Sequence, residues 1–347
     1  MKPRLSVCIP VYKGSEFLKN ALDSIVQDTF KNYEIIVCDD TPCQLQGERK
    51  KIEKIVKSYK NLNVRYYKNS RNIGAQKNIQ RLVKLAKNDR IVFLCQDDVF
   101  INNPLQKIAD AYTKYKTIGA VTRPYYWFDD NISTAVRAEL PISYKEDVLI
   151  SLPTNEKYYT TILNSLGQIS GLSYRKSFIS IPFHNDIFPG HIYPFLGILK
   201  KHSCIFLKDF IVAVGIKSSQ TRSNSTLYDK SPTLSWIKMF DTVFSEKQYK
   251  SLRTWGIEHI AKHYEGLVQI KNYGSEMAVL KEIKILLTHR WMNIFDIRFW
   301  LYAATTLVMP KILLRPLTDA YKRMFLALKL KFIHERYFVQ QQDTSQA

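Results

Sequence analysis

Between residues 5 and 122 one pattern repeats: a short apolar run, then a stretch with apolar residues at helical spacing. The runs are 5–11, 33–38, 63–67, 90–94 and 118–122. Between them Leu18, Ala21, Leu22 and Ile25, then Ile52, Ile55, Val56 and Tyr59, then Ile79, Leu82, Val83 and Ala86, then Leu105, Ile108, Ala109 and Tyr112 fall on one helical face each. Runs of this kind read as strands buried on both faces, and strands alternating with such helices predict an α/β chain with a mostly parallel sheet. Right-handed crossovers then bring the carboxyl ends of the strands to one edge, where open sheets of this class take their ligands.

Two of the runs end in paired acids at that edge, Asp39-Asp40 and Asp97-Asp98. The run Arg90-Ile91-Val92-Phe93-Leu94-Cys95-Gln96 leads into the second pair, whose adjacent carboxylates are expected to hold a divalent metal. Pro10 lacks a donor for a central ladder, so the first strand is expected to open there into the loop 10–14, with Ser15 as cap of the following helix. Pro104 suits the first turn of the helix after the acids.

Charge narrows the partners. The formal net charge is +20 over 347 residues, which points to an anionic partner: nucleic acid, phosphate-bearing substrate or anionic membrane surface. No zinc-finger spacing, aromatic RNA-reading motif or helix-turn-helix signature is present, so no nucleic-acid partner is expected. The five cysteines are odd in number and widely spaced. Cys8, Cys38 and Cys95 lie in apolar runs and are expected to pack as small hydrophobes in a reducing, cytoplasmic setting. Twelve uncharged residues, 299–310, fall short of the roughly 20 that a spanning helix needs.

Beyond residue 125 the pattern breaks. An aromatic-rich stretch to 161, opening on Tyr125-Tyr126-Trp127, is expected to form loops over the site, with those rings available to stack on a sugar. Order resumes at 168–175, with a helix over 193–201 and strands over 204–207 and 210–214. A Ser-, Thr- and Asn-rich loop is expected over 217–235, and helices after it. In the last helix Leu317, Tyr321, Met324, Phe325, Leu328 and Phe332 share a face, while Arg315, Lys322, Lys329 and Arg336 recur every seven residues and Arg323 adds to them. An apolar face beside such cations reads as lying on an anionic membrane. The expected division is 1–225, a helical region 226–339 and a polar tail 340–347.

Four pieces in order resemble the family 2 glycosyltransferases, enzymes of the GT-A fold: 6–12 (SVCIPVY), 34–40 (EIIVCDD), 69–74 (NSRNIG) and 93–98 (FLCQDD); 168–175 also looks like the family's acceptor-side segment. The resemblance covers roughly residues 5 to 225. It implies an inverting transferase acting on a nucleoside-diphosphate sugar. Pro10, Tyr12 and either Asp39 or Asp40 would bind the nucleoside, Arg71 or Lys77 phosphate, and Asp97 the donor through Mg²⁺ or Mn²⁺ held by Asp97 and Asp98. The family's usual Asp-x-Asp is altered, with Cys95 in the place of its first Asp. The Glu-Asp pair that commonly supplies the base is also missing, and in its region stand Asp186 and His191, either of which would take the proton; the helix dipole would keep His191 neutral. The acceptor implied is a lipid-linked saccharide at the inner membrane face in surface-polysaccharide synthesis. A non-catalytic sugar-nucleotide binder is the first alternative, and a basic nucleic-acid-binding protein the second.

Overall fold

The computed structural model describes residues 4–186, 188–217, 222, 225–322, 324, 330 and 333. They fall into two compact units. One holds the chain up to Asn185 together with His191–Ile216 and the described residues Leu330 and Ile333. The other holds Asp186–Gly190 and the helices that follow Lys217.

The first unit is a twisted sheet with helices on its faces. Strands β1 (Leu5–Val11), β2 (Tyr33–Asp39), β3 (Val64–Lys68) and β4 (Arg90–Phe93) run parallel, in the order β3-β2-β1-β4. Every residue of β2 and all of β1 but Pro10 is buried, which is why these strands read as unbroken apolar runs. Helices α1 (Leu18–Val26), α2 (Gln46–Ser58) and α3 (Ala75–Leu85) return the chain between them. The short strand β5 (Val99–Phe100) and helix α4 (Pro104–Lys114) follow, and Asp28 accepts the Leu105 N–H at 2.6 Å at the start of α4.

Two expectations need correction. Pro10 lies inside β1, paired with Cys38, although β1 is central. The Cys8 carbonyl faces β4, and by the two-residue alternation so does Pro10; but the β1–β4 ladder ends at Cys8, where Leu94 N–H donates to the Cys8 carbonyl. The missing donor therefore faces no partner strand. Ser15 does not cap α1, whose N-cap position is Phe17 with no side-chain bond; instead both its N–H and its hydroxyl donate to Glu48.

The sheet continues through β6 (Ala120–Thr122), β9 (Val148–Ile150), β10 (Ser173–Arg175) and β11 (Cys204–Phe206), with β10 antiparallel between β4 and β6. A second sheet joins β5, β7 (Tyr125–Phe128), β8 (Arg137–Glu139) and β12 (Val212–Gly215). The stretch 125–161 is thus partly strand rather than loop, and Tyr125 and Tyr126 are buried core residues, unable to stack on a ligand. Trp127 is half-buried, 4.8 Å from the Tyr125 ring and under the Arg137 guanidinium. Helices α5 (Tyr159–Ser165) and α6 (Ile192–Leu199) complete the unit. All five cysteines are free thiols; Cys8, Cys38 and Cys204 are buried.

The second unit is helical: α7 (Pro232–Val243), α8 (Lys250–Ala261), α9 (Glu265–Tyr273), α10 (Glu276–His289), α11 (Ile297–Val308) and α12 (Lys311–Tyr321). Ser231, Ser275 and Asp296 cap α7, α10 and α11 through side-chain bonds. The expected loop 217–235 already contains a 3-10 turn, Ser225–Asp229, and the start of α7; residues 218–221, 223 and 224 lie outside the described residues. The same holds for Arg323, Phe325, Leu328, Lys329, Phe332, Arg336 and the tail 340–347. Among the described residues no helix is long and apolar enough to cross a membrane.

Candidate active site

Parallel register sets the geometry. Val11 pairs with Asp39 and Cys8 with Phe93, so the residues that leave β1, β2 and β4 emerge at one edge. After β1 the chain turns through Lys13, whose φ of 52° is left-handed, and Lys13 N–H donates to Thr41 Oγ1 at 2.8 Å. Tyr12 is fixed by Gln96. The Gln96 Oε1 accepts Tyr12 N–H at 2.8 Å, while its Nε2 donates to the Tyr12 carbonyl at 2.9 Å. Gly14 lets this happen, because a Cβ there would sit 2.0 Å from Gln96 Oε1.

The β2 acids are both buried, with different duties. Asp39 accepts Thr41 N–H at 2.9 Å on one oxygen and the Tyr66 hydroxyl at 2.8 Å on the other. Burial, then the Asp39 charge, pushes the Tyr66 phenol up. Asp40 accepts three donors: Asn69 Nδ2 at 2.6 Å, Ile73 N–H at 2.8 Å and Gly74 N–H at 2.8 Å. It therefore shapes the 69–74 loop, whose Gly74 has φ 87°. Asn69 is gripped further by Arg81 and by Asn78. Arg71 on this loop and Lys77 in the first turn of α3 are exposed.

At the end of β4, Cys95, Asp97 and Asp98 bring one ligand atom each within 4.8 Å of one another. Asp98 is buried. Ser170 donates its hydroxyl to Asp98 Oδ2 at 2.5 Å, and Gly215 N–H donates to Oδ1 at 2.9 Å. Ser170 Oγ in turn accepts Cys95 N–H at 2.8 Å. Burial, then the neighbouring Asp97 charge, holds the Asp98 carboxyl well above the usual carboxylate range, and the two donors oppose this. Burial likewise pushes the Cys95 thiol up, so it stays protonated. Thiol sulfur is a soft donor and a poor ligand for a hard cation, so the oxygens of half-buried Asp97 and of Asp98 are the donors that fit one.

Ser170 is itself held by Arg123, a buried residue that the motifs do not flag. Arg123 Nη1 donates to Ser165 O at 2.6 Å, and Nη2 donates to Gln168 O at 2.8 Å and to Ser170 O. Its guanidinium lies 4.5 Å from the Tyr125 ring centroid, and burial lowers it to about 10. Gly171, with φ 81°, permits the turn; a Cβ there would meet Val212 Cγ2 at 2.5 Å.

His191 stands at the start of α6, buried, with Nε2 2.7 Å from Leu166 O, while its own carbonyl accepts the Tyr174 hydroxyl. Burial lowers its pKa to about 4. It is neutral as expected, with burial the leading cause. A neutral ring facing a carbonyl carries its proton on Nε2, which leaves the lone pair on Nδ1. Asp186 is half-buried and belongs to the segment 186–190 that groups with the second unit. Sequence reasoning gave no role to Gln96, Asn69 and Ser170, which lie in the segments quoted above, and did not single out Arg123 or Gly215. The clue for Gln96 was its place between Cys95 and Asp97; the others lie too far along the chain to be linked by spacing.

Comparison with known proteins adds an independent line. Residues 6–169 match the sequence family described as Glycosyl transferase family 2. An uncharacterised glycosyltransferase of Rickettsia typhi is 33% identical over 104 residues, covering 30% of this chain and 30% of the relative. One from Methanocaldococcus jannaschii is 29% identical over 133 residues, covering 38% of this chain and 44% of the relative. The chain thus spans less than half the length of either relative. Among solved structures, S. aureus TarS 1-349 in complex with UDP-GlcNAc superposes with a TM-score of 0.58 at 14% identity, covering 87% of this chain and 91% of that one. That likeness carries the fold.

Proposed function

We propose, from the match of residues 6–169 to the Glycosyl transferase family 2 model and from the GT-A fold, that the protein moves a sugar from a nucleoside-diphosphate sugar to a hydroxyl of a saccharide acceptor, with inversion. One observation carries the reading: the ends of β1, β2 and β4 bring the Tyr12 loop, Asp39 and the Asp97-Asp98 pair to a single sheet edge. Asp39, with one protein donor on each oxygen, keeps lone pairs for a ring N–H or ribose hydroxyl of the nucleoside. Pro10 and Tyr12 line the nucleoside side. Asp40 acts through the 69–74 loop, which carries Arg71 toward phosphate, with Lys77 as the other cation for that task.

Asp97 and Asp98 would hold Mg²⁺ or Mn²⁺, which when bound stabilises charge on the leaving diphosphate. The acceptor oxygen bonds to the anomeric carbon as the bond from that carbon to the diphosphate oxygen breaks. Its proton passes to the Asp186 carboxylate or to His191 Nδ1. We assign catalysis to residues 1–225, and to the helical region 226–339 a contact with the inner face of the membrane, which suits a lipid-linked acceptor in surface-polysaccharide synthesis. A cytoplasmic protein peripheral on that face fits the five free thiols.

The alternative is a non-catalytic sugar-nucleotide binder, favoured by Cys95 and by the two donors already on Asp98. A thermal-shift panel of nucleotide sugars with and without Mn²⁺ or Mg²⁺ tests binding. UDP-GlcNAc is the first donor to try, since TarS shares the fold and was solved with it. No stabilisation by any member would sink both readings. Release of nucleoside diphosphate with an acceptor, lost in Asp97→Ala, separates the transferase from the binder.

A further inference from the structure

The last helices of the second unit bury one side and leave the other bare. In α11, Phe299, Ala303 and Thr306 face inward, with Phe299 and Ala303 packed with Tyr264, Leu267 and Leu286. The opposite side carries Ile297, Trp300, Leu301 and Val308, again at helical spacing and all exposed. Phe295 in the turn before α11 and Ile312 at the start of α12 are exposed as well. Phe295, Ile297, Val308 and Ile312 each keep between 74% and 82% of their surface in solvent. A stripe of aromatic and aliphatic side chains on this scale is uncommon on a monomer with nothing to bind.

We propose that this face docks on an anionic lipid bilayer, with α11 lying in the interface plane. The proposal rests on the membrane-surface part of the function above, not on sugar transfer. Three observations favour a bilayer. The stripe mixes aromatic rings with aliphatic chains, as interfacial helices do. The Trp300 indole N–H already donates to Ile294 O at 2.8 Å, so its ring can leave water with no donor unpaired. Charge is complementary: residues 277–322 hold seven Lys and Arg against three acids, and among these cations Arg298 is paired to a carboxylate of the unit, Glu265. Those acids are engaged within the unit. Buried Glu282 accepts Thr233 N–H, Asp296 caps α11 and Asp319 pairs with Arg222. A symmetric contact between two copies would bring two net-positive segments together. At twelve residues, α11 is well short of the roughly 20 needed to span.

The face adds to the one the sequence suggested, of which Phe325, Leu328 and Phe332 lie outside the described residues. Leu317, Tyr321 and Met324 are exposed too, and the α11 stripe lies one helix earlier. The test is co-sedimentation of the full chain with phosphatidylcholine vesicles, with and without a minority of phosphatidylglycerol. Wild type is expected to favour the anionic vesicles at least tenfold. The triple variant F295S/I297S/W300S should weaken that binding by at least about tenfold while its circular dichroism and melting are kept. Equal vesicle binding by wild type and variant would overturn the proposal. So would no vesicle binding by wild type, or a wild-type dimer that the variant dissolves. Thermal shift by nucleotide sugars is read on both proteins: a variant that keeps the donor response but loses vesicles isolates docking. A wild type that binds vesicles without a donor response refutes the sugar reading alone.

Discussion

The two acids after β4 divide their work, and the division is measurable. Asp98 is buried under the Ser170 hydroxyl and the Gly215 N–H. Asp98→Ala strands both donors, and chemical denaturation should show a loss of about 2–3 kcal/mol together with lost turnover. Asp97→Ala removes a half-buried carboxylate. It should cost under about 1 kcal/mol of stability while diphosphate release falls at least about a hundredfold. His191 offers a pH signature. Its folded pKa of about 4 lies below the ordinary 6.5, so its stabilising share is complete above pH 6.5 and is lost as pH falls toward 4. That loss amounts to about 3 kcal/mol, because the unfolded chain takes up a proton the folded one refuses. His191→Gln keeps a donor for Leu166 O but cannot titrate. Its unfolding free energy should depend less on pH between 7 and 4.5 than that of wild type, and parallel curves would refute the assignment.

At the scale of elements, Gly215 in β12 shows how a strand outside the main sheet disciplines the site. A Cβ there would meet the Asp97 carbonyl oxygen at 2.4 Å, a backbone atom that cannot swing aside. Gly215→Ala should therefore cut donor-dependent turnover at least about tenfold, seen as a raised KM for the nucleotide sugar. The reach of sequence reading follows from the same elements. β1, β2 and β4 were legible because strands covered on both faces are written as unbroken apolar runs, and their polar ends mark the edge. β7, β8 and β9, of three or four residues each, carry too few positions for a period, and pairing with distant strands defines them. The same limit hid the partners of Asp98. Ser170 and Gly215 lie 72 and 117 positions away, and only the closed sheet brings them to it. Loop 69–74 was found, but Asp40's part in shaping it was not, because a carboxylate binding backbone N–H groups looks in sequence like one that binds ligand.

For the whole molecule the bearing quantity is the free energy a donor adds. A nucleotide sugar at a hundred times its Kd stabilises the fold by about 2.7 kcal/mol, which for a chain of this length raises Tm by about 4 °C. If Asp97 holds a cation that helps bind the diphosphate, EDTA should shrink that rise in wild type and leave Asp97→Ala unchanged. An EDTA-insensitive rise would remove the metal from the reading and leave the nucleotide. The net charge of +20 gives the chain a long-range pull on phosphate-bearing partners, so donor affinity should also fall as salt is raised.

The Gln96 side chain gives and takes at once on the Tyr12 backbone, as a neighbouring strand would. An amide of this kind does not titrate, so the latch is indifferent to acidity throughout the physiological range. Glu at position 96 would make it conditional. Ionised, it could only accept, and would face the Tyr12 carbonyl with like polarity; protonated, it would restore the donor. A Gln96→Glu protein should therefore work better in mild acid than at neutrality, turning a constant of the architecture into a dial.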